Sequence, residues 1–114
     1  SVHAEARRLL AAANFAAALP LLERLREEDP SDVAVLADLG WASWKTNRET
    51  DYIRLAVTLD SSNPRALEYL GRVYEELKQP DKADRVAKSL LKVERTNPWA
   101  RKRITAGRGA GKSR

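Results

Sequence analysis

Apolar residues recur along most of this chain at the three- and four-residue spacing of amphipathic helices. The clearest case is the stretch from Leu67 to Tyr74, in which Leu67, Leu70 and Tyr74 share one helix face. The pattern predicts seven helices, and Thr46 and Glu49 fit a capping box at the start of the fourth. The seven predicted helices span approximately 2–12, 15–28, 31–45, 47–59, 64–78, 82–93 and 98–106.

The breaks between these helices are periodic. Asp29-Pro30, Asn63-Pro64 and Asn97-Pro98 follow one another at intervals of 34 residues. A fixed period of this size, filled by two helices, is typical of a helical repeat array in which no unit buries its apolar face alone. We expect three hairpins at about 1–30, 31–62 and 63–97, a capping helix at 98–106 and a disordered basic tail at 107–114.

The first and second helices of the hairpins also carry a residue pattern. In the third hairpin the pattern comprises Leu67, Leu70-Gly71 and Tyr74, and Ala83 follows Gly71 by 12 residues. These residues resemble the signature of the tetratricopeptide repeat (TPR) family. Matching positions in the other two hairpins are Leu36, Leu39-Gly40, Ala56, Ala18 and Pro30.

The resemblance implies an all-α fold, a right-handed superhelical array of three TPR-like helix pairs with a C-terminal capping helix. Gly40 and Gly71 lack a Cβ, so we expect the paired helix to approach them closely. Only 31 residues separate these two glycines, so the second unit is about three residues shorter than the 34-residue period. We expect that shortening to tighten or tilt the second pair and to disturb the regular superhelix.

In TPR arrays the first helices line a concave groove that holds a partner, so the resemblance also implies a binding surface. The groove positions nearest the Leu-Gly pairs are Arg7, Leu10, Asp38, Trp41, Trp44, Lys45, Tyr69 and Arg72, with His3, Ala34, Ala37, Arg65, Glu68, Glu75 and Glu76 beside them. We expect the groove to hold a peptide or helical segment of a partner with apolar and acidic residues.

Several of these positions have two interpretations. Trp41 and Trp44 are three residues apart and share a helix face. They are either exposed anchors of the kind that dominate peptide binding, or packing residues that fill the space left by the short second unit. Arg7 and Arg72 either receive a partner's carboxylate or are ordinary solvated charges.

Some TPR domains hold a C-terminal carboxylate in a clamp of Lys, Asn, Asn, Lys and Arg. This chain has His3 and Arg7 in place of the first Lys and Asn, and Asp38 in place of the second Asn. We therefore do not expect a clamp for chaperone tails.

Composition narrows the function further. The 114 residues form one small domain with a net charge of +5, no cysteine and a single histidine. These counts exclude disulfides and cysteine chemistry and leave no His cluster, so we expect no enzyme activity, no metal and no cofactor. Residues 106–113 loosely resemble a phosphate-binding loop, but they follow a helix rather than the strand that such a loop requires. We therefore do not expect nucleotide binding.

The favoured function is a non-catalytic adaptor or regulatory module. No membrane span or secretory signal is visible, so we expect a cytoplasmic location. The alternatives are a scaffold that self-associates as a homo-oligomer, or weak contact of the basic tail with nucleic acid or membrane, without specific nucleic-acid recognition. The chain has no methionine and begins inside a helical pattern, as expected of a segment of a longer protein or of a processed N-terminus.

Overall fold

A computed structural model describes the backbone of residues 1–112 and the side chains of residues 1–107. Residues 1–112 contain seven α-helices and no strand. The all-α class and the helical repeat array are therefore confirmed. The helices are α1 (Val2–Ala11), α2 (Phe15–Glu28), α3 (Val33–Asn47), α4 (Asp51–Leu59), α5 (Pro64–Glu76), α6 (Pro80–Val93) and α7 (Pro98–Lys112).

Helices that are neighbours in sequence pack against each other along the whole array. The close pairs are α1 with α2, α3 with α4 and α5 with α6, while α3 also contacts α2 and α5, and α7 rests on α6. The resulting molecule is elongated, with extents of 51 × 24 × 22 Å. This shape is expected of stacked hairpins, because each unit buries its apolar face only against the next.

The periodic breaks work as helix starts through side-chain caps. Asn63 Oδ1 accepts the Ala66 amide at 3.0 Å, and Asn97 Oδ1 accepts the Ala100 amide at 2.9 Å. Each Asn is followed by a proline in the first helical position, where the missing N–H costs nothing. The first hairpin boundary differs, because Asp32 rather than Asp29 caps the next helix.

Two helix boundaries differ from the sequence prediction. Thr46 does not start α4: its hydroxyl donates to the Ala42 carbonyl of its own helix at 2.8 Å. Helix α3 ends only at Asn47 and is capped by Arg48, where φ is 62°. At the other end α7 continues past residue 106 to Lys112, since its glycines lower helix propensity without blocking the helix. The last part of the predicted tail, residues 113–114, lies outside the described residues.

The core runs between the hairpins, and the glycines of both Leu-Gly pairs lie at close contacts within it. A Cβ on Gly40 would lie 2.7 Å from the backbone nitrogen of Ile53, so α4 approaches as the sequence predicts. A Cβ on Gly71 would instead meet the Trp99 ring of α7, 2.8 Å from Cζ3. The second glycine therefore accommodates an indole from the last helix, and the expected approach of α6 is not its closest contact.

Candidate functional site

The wall formed by α1, α3 and α5 contains a buried carboxylate. Asp38, in the middle of α3, is only 3% exposed. Arg7 Nη1 on α1 donates to its two oxygens at 2.9 and 3.0 Å, Arg65 Nη1 on α5 donates at 3.2 Å, and the Tyr69 hydroxyl on α5 donates at 3.2 Å. Because its charge is paired and its oxygens are bonded, the carboxylate tolerates burial. One side chain thus joins the first helices of all three hairpins.

The two arginines are fixed on one side and exposed on the other. Their side chains are 50% and 37% exposed for Arg7 and Arg65. Within residues 1–107 each bonds through Nη1 alone, so Nε and Nη2 keep donors for another molecule. Burial alone would lower the pKa of Arg7, but the charge of Asp38 raises it overall, and the guanidinium stays charged.

Tyr69 stays a neutral donor in this cluster. Burial raises its pKa to about 12, and the negative charge of Asp38 acts in the same direction. A hydroxyl held neutral in this way donates its hydrogen bond to Asp38 throughout the physiological pH range.

The Tyr69 ring also stacks on Trp41. The centroids are 5.1 Å apart and the planes differ by 2°, and we call this pair the aromatic shelf. Phe15 of α2 meets Trp41 edge-on with centroids 6.4 Å apart, and Lys45 Nζ lies 5.2 Å from the Trp41 ring centroid. Trp41 is half-buried. It is therefore held in place by its neighbours while keeping part of its surface open.

Trp44 does not line the groove as expected of an anchor. It is 3% exposed and packs with Ile53 and Val73. Its Nε1 donates to Glu76 Oε1 at 3.1 Å. The exposed-anchor interpretation is wrong for this residue, because its side chain faces α4 and α5, and the packing alternative describes it.

The remaining predicted positions are occupied by contacts within the chain. Lys45 pairs with Glu76 at 3.2 Å, and Arg72 Nε pairs with Glu68 Oε2 at 2.9 Å. Leu10 is half-buried and packs against the core cluster that includes Leu9 and Leu22. The structure therefore brings Arg7, Asp38, Trp41 and Tyr69 together. Arg65, which the sequence analysis places only beside the main groove positions, joins them.

A pocket of about 440 Å³ opens beside the cluster around Asp38. One side is basic, with Arg7 and Arg65, and the other is acidic, with Glu68 and Glu94. The Asn97 side-chain amide donates to both of these acids at 2.8 Å. The part played by Glu94 and Asn97 was not apparent from sequence, because they follow α6 rather than lie on a first helix.

No group of three or more His, Asp or Glu side chains among the described residues is placed to hold a metal ion. None of the helices in the described part of the chain is long and apolar enough to cross a membrane.

A solved structure shares this arrangement of helices. It is the first TPR of Spaghetti (RPAP3) bound to the HSP90 peptide SRMEEVD, with a TM-score of 0.78, 18% sequence identity, and coverage of 92% of this chain and 91% of that chain. The chain has the TPR fold. The sequence matches no protein-family model and no curated protein. The TPR fold is thus recognised through helix packing, as expected when a repeat retains only a few small and apolar positions.

Proposed function

We propose that this chain is a non-catalytic TPR module that holds a peptide or helical segment of a partner protein on the wall of α1, α3 and α5. The observation that carries the proposal is the orientation of Arg7 and Arg65 by the buried Asp38, at the edge of the 440 Å³ pocket. The role of such a module is that of an adaptor or regulatory domain.

The basic side of the pocket suits an acidic side chain of the partner. A guanidinium offers paired N–H donors to a carboxylate, and charge-assisted bonds of this kind are about twice as strong as neutral ones. Asp38 already restrains Arg7 and Arg65, so binding costs these side chains less conformational entropy. The half-exposed Trp41 of the aromatic shelf adds an apolar contact.

The acidic side of the pocket makes the site bipolar. Glu68 and Glu94 share the Asn97 amide, and Glu68 also pairs with Arg72. Each carboxylate still has lone pairs for a further donor. We therefore expect the bound segment to present an acid toward α1 and a hydrogen-bond donor toward the α6–α7 turn, with an apolar side chain on the shelf.

The TPR neighbour supports binding of an acidic peptide in general, because SRMEEVD contains three acids. A terminal carboxylate is a poorer fit to this chain, since Asp38 and Arg7 replace the amides of the clamp. We propose an internal segment of the partner as the ligand.

Selection from a displayed library of random peptides tests this function. The wild-type chain is expected to enrich sequences with acidic and apolar residues, and Arg65→Gln or Trp41→Ala is expected to abolish the enrichment. Arg54→Gln is the matched control, because Arg54 is exposed on α4 and pairs only with Asp51. No enrichment, or enrichment that survives both groove variants, contradicts the proposal. The SRMEEVD peptide serves as a probe that is expected to bind weakly.

A second candidate, a self-associating scaffold, is supported by an exposed apolar pair. Leu55 and Leu59 lie one turn apart on α4 and are 39% and 52% exposed. If the chain self-associates through them, its sedimentation mass rises with concentration and Leu55→Glu restores the monomer. A constant monomer mass excludes this candidate and leaves peptide binding in place.

A further inference from the structure

Charge is unevenly divided along the chain. Residues 80–114 hold eleven Lys and Arg against three Asp and Glu, a net charge of +8. Residues 1–79 hold ten against thirteen, a net charge of −3. The positive charge therefore belongs to the segment that includes α6 and α7, and it begins well before the predicted tail.

Much of this charge is exposed on α6, on α7 and in the turn between them. Arg85, Lys88 and Lys92 follow the three- and four-residue spacing of one helix face on α6 and are all exposed, while Ala87 and Leu90 face the core. A shallow pocket of about 360 Å³ is lined by Lys88 and by Ile104 of α7, so the two helices adjoin there. We define the basic end surface as Arg85, Lys88, Lys92, Arg95, Arg101 and Lys102.

The side chains of the basic end surface are not neutralised by the chain itself. None of them forms an ion pair within 4.0 Å of a carboxylate among residues 1–107. In contrast Arg103 pairs with Glu75 and Asp84 at 2.8 Å each. Asp84 is thereby occupied by Arg103. Asp81 and Glu94 are the other acids of residues 80–114, and the six cations of the basic end surface outnumber them.

We propose that the basic end surface binds the phosphate backbone of double-stranded nucleic acid. A row of exposed cations on a helix face neutralises regularly spaced phosphates and releases their counterions, which gives affinity without base recognition. The α6 row is part of a packed helix rather than a tail, so its spacing is maintained.

The same surface fits the other polyanions less well. Insertion into a membrane interface needs several large apolar side chains beside the cations. Ile104 is partly buried against Ala87 and Leu90, Trp99 lies against Gly71, and only Val93, 47% exposed, is a large exposed apolar side chain of α6 or α7 among residues 1–107. Stacking with unpaired bases needs exposed aromatic rings, and the only aromatic residue of α7 is Trp99, whose Nε1 donates to Glu75 at 2.7 Å. Duplex binding through phosphates requires neither.

Fluorescence anisotropy of a short labelled DNA duplex of mixed sequence tests the proposal. The wild-type chain is expected to bind with a logarithmic affinity that falls linearly with the logarithm of salt concentration. Arg85→Gln/Lys88→Gln/Lys92→Gln should reduce that slope by about 2 to 3, at roughly 0.9 per lost phosphate contact. Arg101→Gln/Lys102→Gln gives an independent reduction of about 2 on the same basis.

The matched control is Arg8→Gln/Arg24→Gln/Arg54→Gln, which removes the same charge from exposed sites on α1, α2 and α4. It is expected to keep the wild-type slope. No duplex binding at low salt, or equal loss in the control, overturns the proposal. Equal or tighter binding to phosphatidylserine vesicles or polyglutamate also overturns it, in favour of a membrane or an acidic protein. Peptide enrichment is unaffected by these variants if the two surfaces are separate.

Discussion

The Trp99 ring of α7 lies directly over Gly71 of α5. A Cβ at Gly71 would lie 2.8 Å from Cζ3 of the ring, closer than real Cβ contacts allow. The indole Nε1 also donates to Glu75 Oε1 one turn further along α5, at 2.7 Å. The missing side chain of Gly71 therefore forms a seat for the last helix and joins it to the third hairpin.

Replacing Gly71 with Ala is expected to lower the free energy of unfolding by about 1–3 kcal/mol, because the new methyl displaces the ring. Ala gains up to about 1 kcal/mol in helix propensity, which offsets part of this cost. In a Trp99→Leu background the methyl finds space, so the same change should cost little or even stabilise. Urea denaturation of the two single variants, the double variant and the wild type measures the coupling. If Gly71→Ala lowers the free energy of unfolding equally in the wild-type and Trp99→Leu backgrounds, the Trp99 ring does not pack on Gly71.

Gly40 provides the contrast. The closest neighbour of Gly40 is Ile53. A Cβ added to Gly40 would meet the Ile53 side chain and would lie 2.7 Å from the Ile53 backbone nitrogen. Backbone does not move aside as a side chain does, so Gly40→Ala should destabilise the protein even when Ile53 is shortened to Ala. The same denaturation cycle tests this, and full rescue by Ile53→Ala contradicts it.

Asp38→Asn is expected to lower the free energy of unfolding by about 1–3 kcal/mol. The change removes the negative charge that Arg7 and Arg65 share, while their exposed portions remain hydrated, which limits the cost. Arg7→Gln alone should cost less, because Arg65 and Tyr69 still satisfy the carboxylate. In a double-mutant cycle the costs should fall short of additivity by at least about 0.5 kcal/mol. Additive costs indicate that the ion pair is not formed in solution.

Trp44→Phe tests the corrected position of this residue. The variant loses the hydrogen bond to Glu76 and part of the packed volume, so its free energy of unfolding should fall by about 1–3 kcal/mol. Its peptide enrichment should equal that of the wild type once it is folded, whereas Trp41→Ala loses enrichment. A loss of enrichment in a folded Trp44→Phe chain indicates that Trp44 contacts the ligand.

Sequence alone predicts the helices well, because the signals that start them are local. Asn63 and Asn97 cap the amide three residues ahead, and the proline that follows each fixes the first turn, so both starts are predicted to the residue. Thr46 shows the limit of this reasoning. Its hydroxyl satisfies either a following amide or a preceding carbonyl, and only the path of the chain at Arg48 decides between them.

The candidate site is predicted as a set of positions but not as a set of contacts. Repeat geometry brings Arg7, Asp38 and Tyr69 to one wall, yet which of them pair depends on small rotations between helices that the sequence does not specify. Trp41 and Trp44 differ by only about 60° around the helix axis, and that angle separates a half-exposed ring from a buried one. The seat of Trp99 on Gly71 likewise depends on how α7 packs.

Alkaline pH should weaken the fold through Tyr69. Its pKa is raised to about 12 by burial and by Asp38, while that of an unfolded tyrosine is about 10. The folded state therefore holds the phenolic proton more tightly. This contribution is fully present below about pH 10 and is lost as the pH rises toward about 12.

A shift of about two pKa units corresponds to at most roughly 3 kcal/mol, and partial exposure of the ring reduces this to about 1–2 kcal/mol. Tyr69→Phe lacks the ionisable group, so its free energy of unfolding should decline less than that of the wild type between these pH values. Tyr52→Phe is the control and should retain the wild-type decline, because its ring packs beside Arg26 rather than a carboxylate. If the free energy of unfolding declines in parallel for wild type and Tyr69→Phe, Tyr69 ionises as freely as in the unfolded chain. That result contradicts the hydrogen bond from Tyr69 to Asp38.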